Sequence, residues 1–216
     1  MADYAERQKT AFAADQDQEL DALVVVSPAN IRYLTGFPGE GLLLLLDGEA
    51  CLVTDGRYRS EGEAAAARLA VSENGAWAGM VGELRSRGIG RVGFESAHTT
   101  VAMAEYLQKE LADTVFRGAQ GIVENLRRRK SPEELDLIRR AARAADRIYE
   151  DFLASDPGEL TERQACFELH RAMLDQGTEG PAFDLIVAVA EGAAEPHHRP
   201  GNALLAQAGL LLVDLG

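Results

Sequence analysis

The stretch AEPHHRPGNALLAQAGLLLVDLG, residues 194–216, carries the side chains best suited to chemistry: two adjacent histidines, His197 and His198, and a carboxylate, Asp214. Asp214 follows four apolar residues, 210–213, which read as the end of a buried strand. A carboxylate in that setting needs a cation, a set of hydrogen bonds or a metal, because an isolated buried charge is expensive and otherwise neutralises. A strand fixes the direction of its side chains, which suits a metal ligand. It suits equally an aspartate that caps the backbone of the D-L-G turn, and spacing alone leaves both readings open. Adjacent histidines on extended backbone point to opposite sides, so His197 and His198 do not bind one ion together. One is expected to face a cleft and the other solvent or packing. Pro196 and Pro200 stiffen the loop and remove two N–H donors, so it can present an imidazole for hydrogen bonding.

These residues need elements to hold them. Two strands, 183–190 and 210–215, are expected on either side of the histidine loop. Ahead of them, Thr161 and Gln164 form a capping box that opens a helix with Cys166, Leu169 and Met173 on one stripe and Gly177 at its end. Ser131-Pro132-Glu133-Glu134 is a second capping box, with proline at the first helical position. Leu135, Ile138, Ala142, Ala145, Tyr149 and Phe152 follow at spacings of three and four, one apolar stripe on a helix of roughly five to six turns. Asp156-Pro157-Gly158 breaks that helix.

The first part of the chain alternates strand-like and helix-like segments and reads as an α/β domain ending near Gly118. Residues 1–18 read as a helix and 22–26 as a buried strand. Asp47-Gly48 reads as a type I′ hairpin turn between two apolar runs. The Ala-rich stretch 56–70 is helical in propensity. Helix, glycine stop and strand follow over 80–94, then a helix from Thr100. Residues 121–130 read as a linker, whose four cations at 127–130 make a solvated face rather than an anion site.

With 22 basic and 35 acidic residues the net charge is −13, which argues against nucleic acid and against an acidic membrane surface as partners. The longest wholly apolar run, residues 42–46, is far too short to span a bilayer. Cys51 and Cys166 form no C-x-x-C pair and read as small buried hydrophobes. The first twenty residues are too polar for a signal peptide, so a reducing cytoplasm is expected.

Five segments, in order, resemble the pita-bread metallopeptidases: Xaa-Pro aminopeptidases and Xaa-Pro dipeptidases (prolidases), with creatinase as a relative. NIRYLTGFPGEG (30–41) and VTDGRYRSEGEA (53–64) resemble their amino-terminal domain. RRRKSPEELDLIRRAA (127–142) resembles the opening of their catalytic domain. GTEGPAFDLIVAVAEGAAEPHHRP (177–200) and GLLLVDLG (209–216) resemble the segments bearing the active-site histidine and the first metal ligand. The resemblance implies a creatinase-like N-terminal α/β domain over 1–120, a linker over 121–130 and, over 131–216, the first half of a pita-bread catalytic domain. It implies hydrolysis of Xaa-Pro peptide bonds in di- or oligopeptides by two divalent ions, manganese first and zinc or cobalt next, in a homodimer. His197 then matches the histidine that contacts substrate, and Asp214 the first aspartate of the dinuclear centre. His198 receives no chemistry, and Phe183 reads as core packing. The stretch VAEGAAE departs from relatives, which carry a glycine-containing turn followed by Asn or Ser. The remaining family ligands are not found in these 216 residues, and neither His98 nor His170 replaces one. This chain by itself is therefore expected to bind a metal pair poorly and to be inactive. A non-catalytic pita-bread module and a creatinase-like, metal-independent hydrolase are the alternative readings.

Overall fold

The computed structural model describes residues 3–14, 20–207 and 209–216. They fall into two compact units, residues 1–130 and 131–216.

The first unit is a six-stranded mixed sheet. Its strands are β1 (Ala22–Val25), β2 (Leu42–Leu46), β3 (Glu49–Thr54), β4 (Arg68–Val71), β5 (Arg91–Glu95) and β6 (Val115–Ala119), in spatial order β4-β3-β2-β1-β5-β6. β2 pairs antiparallel with β1 and β3, and the remaining pairs are parallel. Side chains alternate between the faces of a sheet. Leu23, Val25, Leu43, Leu45 and Leu52 therefore meet helices α1 (Tyr4–Ala13), α2 (Pro28–Thr35) and α6 (Ile122–Arg127) through Ala11, Ile31, Leu34 and Val123. On the other face Val24, Leu42, Leu44, Cys51 and Val53 meet α4 (Ala76–Ser86) and α5 (Val101–Glu110) through Met80, Leu84 and Leu107. Burial on both faces explains why β1 and β2 read as unbroken apolar runs.

Four expectations change here. The Asp47-Gly48 hairpin forms, but only Gly48 has positive φ (+72°), so its turn is not type I′. The Ala-rich stretch yields a 3-10 turn, Gly56–Tyr58, and the short α3 (Arg59–Glu63), and from Arg68 the chain pairs with β3 instead. Tertiary contacts override propensity there: the Ala66 N–H donates to the Thr35 carbonyl, and Gln8 Nε2 donates to the Ala66 carbonyl at 2.6 Å. Residues 115–119, beside the expected domain end, form the edge strand β6. The segment read as a linker carries α6, whose Val123 is buried in the first core and whose Arg127 Nη1 donates to Asn30 Oδ1. Of the helix expected over 1–18, α1 accounts for Tyr4–Ala13, and residues 15–19 lie outside those described.

The second unit consists of α7 (Pro132–Ala154), α8 (Glu162–Asp175) and a two-stranded antiparallel ribbon, β7 (Ile186–Val189) with β8 (Leu211–Asp214). Both capping boxes form as the sequence predicts. Ile148 and Phe152 of α7, Ala165, Leu169 and Met173 of α8, and Val187 and Val189 of β7 make its core. The stripe on α7 is only partly used, since Leu135 and Ile138 in its first half are exposed.

Candidate functional site

The ribbon register decides where Asp214 goes. Val187 faces Val213 and Val189 faces Leu211, and these four pack into the core. Ile186 faces Asp214 on the opposite side of the ribbon, because strand side chains alternate. The expected buried aspartate is therefore exposed, since β8 is covered on one face only. Its carboxylate makes no hydrogen bond or ion pair among the described residues. Asp214 lines an open groove of about 820 Å³ together with His197, His198, Phe183, Asp184 and Arg199. Phe183 is exposed rather than packed in the core, and its ring lies against Gly216.

Of the two histidines, His197 stays exposed on the groove, while His198 is the packed one. The His198 Nε2 atom lies 3.0 Å from Glu162 Oε2, and its Nδ1 lies 3.5 Å from the Glu195 carboxylate. That contact with Glu162, opposed by burial and helped by Glu195, raises the His198 pKa above its ordinary value. Burial would push the Glu162 carboxyl up, but hydrogen bonds from His198 and from the Gly201 and Val189 amides outweigh it and hold the pKa low. Glu162 is 2% exposed, although it reads in sequence only as an acid in the first turn of a helix, where it complements the dipole. Its partners lie 27 to 39 residues downstream, so no local pattern signals its role.

The loop from β7 to His197 is tight. Ala190 takes φ +49°, a left-handed conformation that favours glycine, in the VAEGAAE stretch where the sequence departs from the family pattern. A Cβ at Gly192 would lie 2.7 Å from His198 Cε1, so glycine there makes room for the ring.

Elsewhere, His98 lies 3.4 Å from Glu124 in the first unit, and His170 is an exposed residue of α8. His170 is not among the residues that line the groove. Burial pushes the Cys51 thiol up to about 11, which fits a packing residue. Lys130 Nζ donates to the Arg127 carbonyl at 2.6 Å, a use of the basic run that needs no anion.

Comparison with known proteins agrees with this architecture. Residues 7–129 match the Creatinase/Prolidase N-terminal domain, and residues 136–216 match Metallopeptidase family M24. The chain belongs to the creatinase/prolidase group of M24 metallopeptidases. It is 28% identical over 200 residues to YqhT, an uncharacterized peptidase of Bacillus subtilis, covering 91% of this chain and 57% of that protein. A Xaa-Pro dipeptidase from Bacillus anthracis shares the fold with a TM-score of 0.87 at 24% identity, covering 99% of this chain and 60% of that one. The N-terminal domain of the cytoplasmic peptidase PepQ from Mycobacterium tuberculosis is 32% identical, with a TM-score of 0.52, over 56% of this chain and 98% of that domain. The chain thus spans a little under three fifths of the length of YqhT.

Family M24 implies divalent metal ions. Among the described residues no group of three or more histidine, cysteine, aspartate or glutamate side chains could hold one. Asp214 offers one carboxylate, and a metal pair that activates water needs several donors, so the described residues do not fit the dinuclear centre.

Proposed function

We propose that the chain supplies the substrate-facing histidine and one metal-binding carboxylate of a peptidase that cleaves Xaa-Pro bonds in di- or oligopeptides. The observation that carries this reading is that His197 and Asp214, on different elements, line one open groove. His197 stands exposed at the groove and can hydrogen-bond the carbonyl oxygen of the bond to be cleaved, whose charge grows as the bond is attacked. Asp214, without a protein partner among the described residues, is available as a ligand. A manganese pair, or zinc or cobalt in its place, requires donors beyond those described. Proline specificity would come from a pocket shaped for a tertiary amide that lacks an N–H. The 32%-identical domain belongs to a protein named a cytoplasmic peptidase, which supports a cytoplasmic location, as do the free cysteines Cys51 and Cys166. A homodimer is part of the same proposal.

The test is hydrolysis of Ala-Pro, Ala-Ala and longer Xaa-Pro peptides by the protein as encoded, with added Mn²⁺ and with chelator. Preferential cleavage of Ala-Pro, abolished by chelator and by Asp214→Asn and reduced about 100-fold or more by His197→Ala, is expected. Equal cleavage of Ala-Ala refutes proline specificity, and no cleavage of any peptide refutes the enzyme.

A further inference from the structure

Glu162 sits at the first position of α8, and both of its carboxylate oxygens are used. Oε1 accepts from the Val189 amide, at the end of β7, at 2.9 Å. Oε2 accepts from the Gly201 amide at 2.7 Å and contacts His198 Nε2 at 3.0 Å. The partners bracket His197: Val189 lies before the loop, His198 is its neighbour, and Gly201 follows Pro200. Backbone bonds from the same helix start continue the attachment, with Glu162 N–H donating to the Ala203 carbonyl and Arg163 N–H to the Gly201 carbonyl. The His198 ring also lies close to Gly192, where an added Cβ would fall 2.7 Å from Cε1, so it has little room to move. A buried carboxylate with three donors is costly to leave incomplete, so the arrangement is rigid.

We infer that Glu162 is a positioning residue, clamping the histidine loop to the end of β7 and thereby holding His197 at the groove. The inference deepens the proposed function and rests on His197 being the substrate-facing group. Glu162 is not among the residues that line the groove, and it acts through the loop.

Glu162→Gln is the direct test. An amide side chain keeps the shape but has one acceptor oxygen, so it cannot serve Val189 and Gly201 together. In the chain as it stands, amide exchange at one of these two residues is expected to accelerate about tenfold. The His198 ring-proton signal should also move away from its carboxylate-bonded position. Gly192→Ala, which leaves Glu162 intact, should produce the same ring-proton change, because the added methyl displaces the imidazole. Unchanged exchange at both amides together with an unmoved ring signal in Glu162→Gln would overturn the clamp.

Hydrolysis of Ala-Pro by the protein as encoded supplies the second readout. Glu162→Gln is expected to lower kcat/KM about tenfold, and the double variant with His197→Ala to be no slower than His197→Ala alone. Additive losses would mean that Glu162 does not act through His197. If His197→Ala leaves hydrolysis untouched, the proposed role of His197 fails, while the exchange data still decide whether the clamp exists.

Discussion

Replacing Glu95 by alanine should unfold the first unit at markedly lower denaturant. Glu95 closes β5 and is 7% exposed. Its Oε2 accepts from the backbone amides of Val26 and Ser27 at 2.6 and 2.7 Å, and its Oε1 accepts from Asn30 Nδ2 at 2.6 Å. Alanine leaves the Val26 and Ser27 N–H groups and one of the two Asn30 Nδ2 hydrogens without an acceptor. Each unsatisfied buried donor costs about 1–3 kcal/mol, and water can reach half-buried Val26, so a total of about 3–6 kcal/mol is expected. That is a large part of the stability of a domain of this size. Glutamine should cost less, about 1–2 kcal/mol, because its single oxygen still serves Val26 and Ser27. Its amide then opposes that of Asn30, which cannot flip: Asn30 Oδ1 accepts from Arg127 and Nδ2 also donates to Glu124. Trp77, the sole tryptophan, packs in the second core of this unit, so its fluorescence reports this unit alone. With a urea slope of ~2 kcal/mol/M, Glu95→Ala should lower the midpoint by about 1.5–3 M. A drop under about 0.5 M, or a larger effect for glutamine than for alanine, would refute the reasoning.

Two further outcomes follow from the second unit. Ala190→Gly should stabilise it by about 0.5–1 kcal/mol, read from thermal unfolding by circular dichroism, because glycine relieves the left-handed φ of +49°; a loss of stability would contradict this. The His198–Glu162 pair should also make this unit's stability depend on pH. The raised His198 pKa adds stability that is full below the ordinary 6.5 and is lost as pH rises through the folded value. The lowered Glu162 pKa adds stability present above 4.5 and lost as pH falls through its folded value. The stability gap between the protein and Glu162→Gln should therefore be widest between 4.5 and 6.5 and shrink as pH rises through the folded pKa of His198, and a gap that widens toward alkaline pH would be inconsistent with the pair.

Local signals account for much of the architecture. Ser131-Pro132 with Glu134, and Thr161 with Gln164, mark helix starts because a capping box is made within four residues. Asp47-Gly48 marks a hairpin for the same reason, although with positive φ at Gly48 alone the turn is not type I′. His197 and Asp214 stand out because of their residue types and the rigid segments carrying them. Propensity misleads where neighbours distant in sequence claim the backbone, as at 64–71, where β3 recruits β4 from an Ala-rich stretch.

Short-range pattern marks the helix starts and the hairpin, since each depends on side chains only a few positions apart. Packing sends Asp214 out of the ribbon and Val213 in, because a strand's covered side is set by what packs on it. It also settles which of the two groove histidines is packed, because that depends on a carboxylate 36 residues away reaching His198. Hydrogen bonds to a buried charge are set by the spatial closeness of remote segments, and no local periodicity records that closeness.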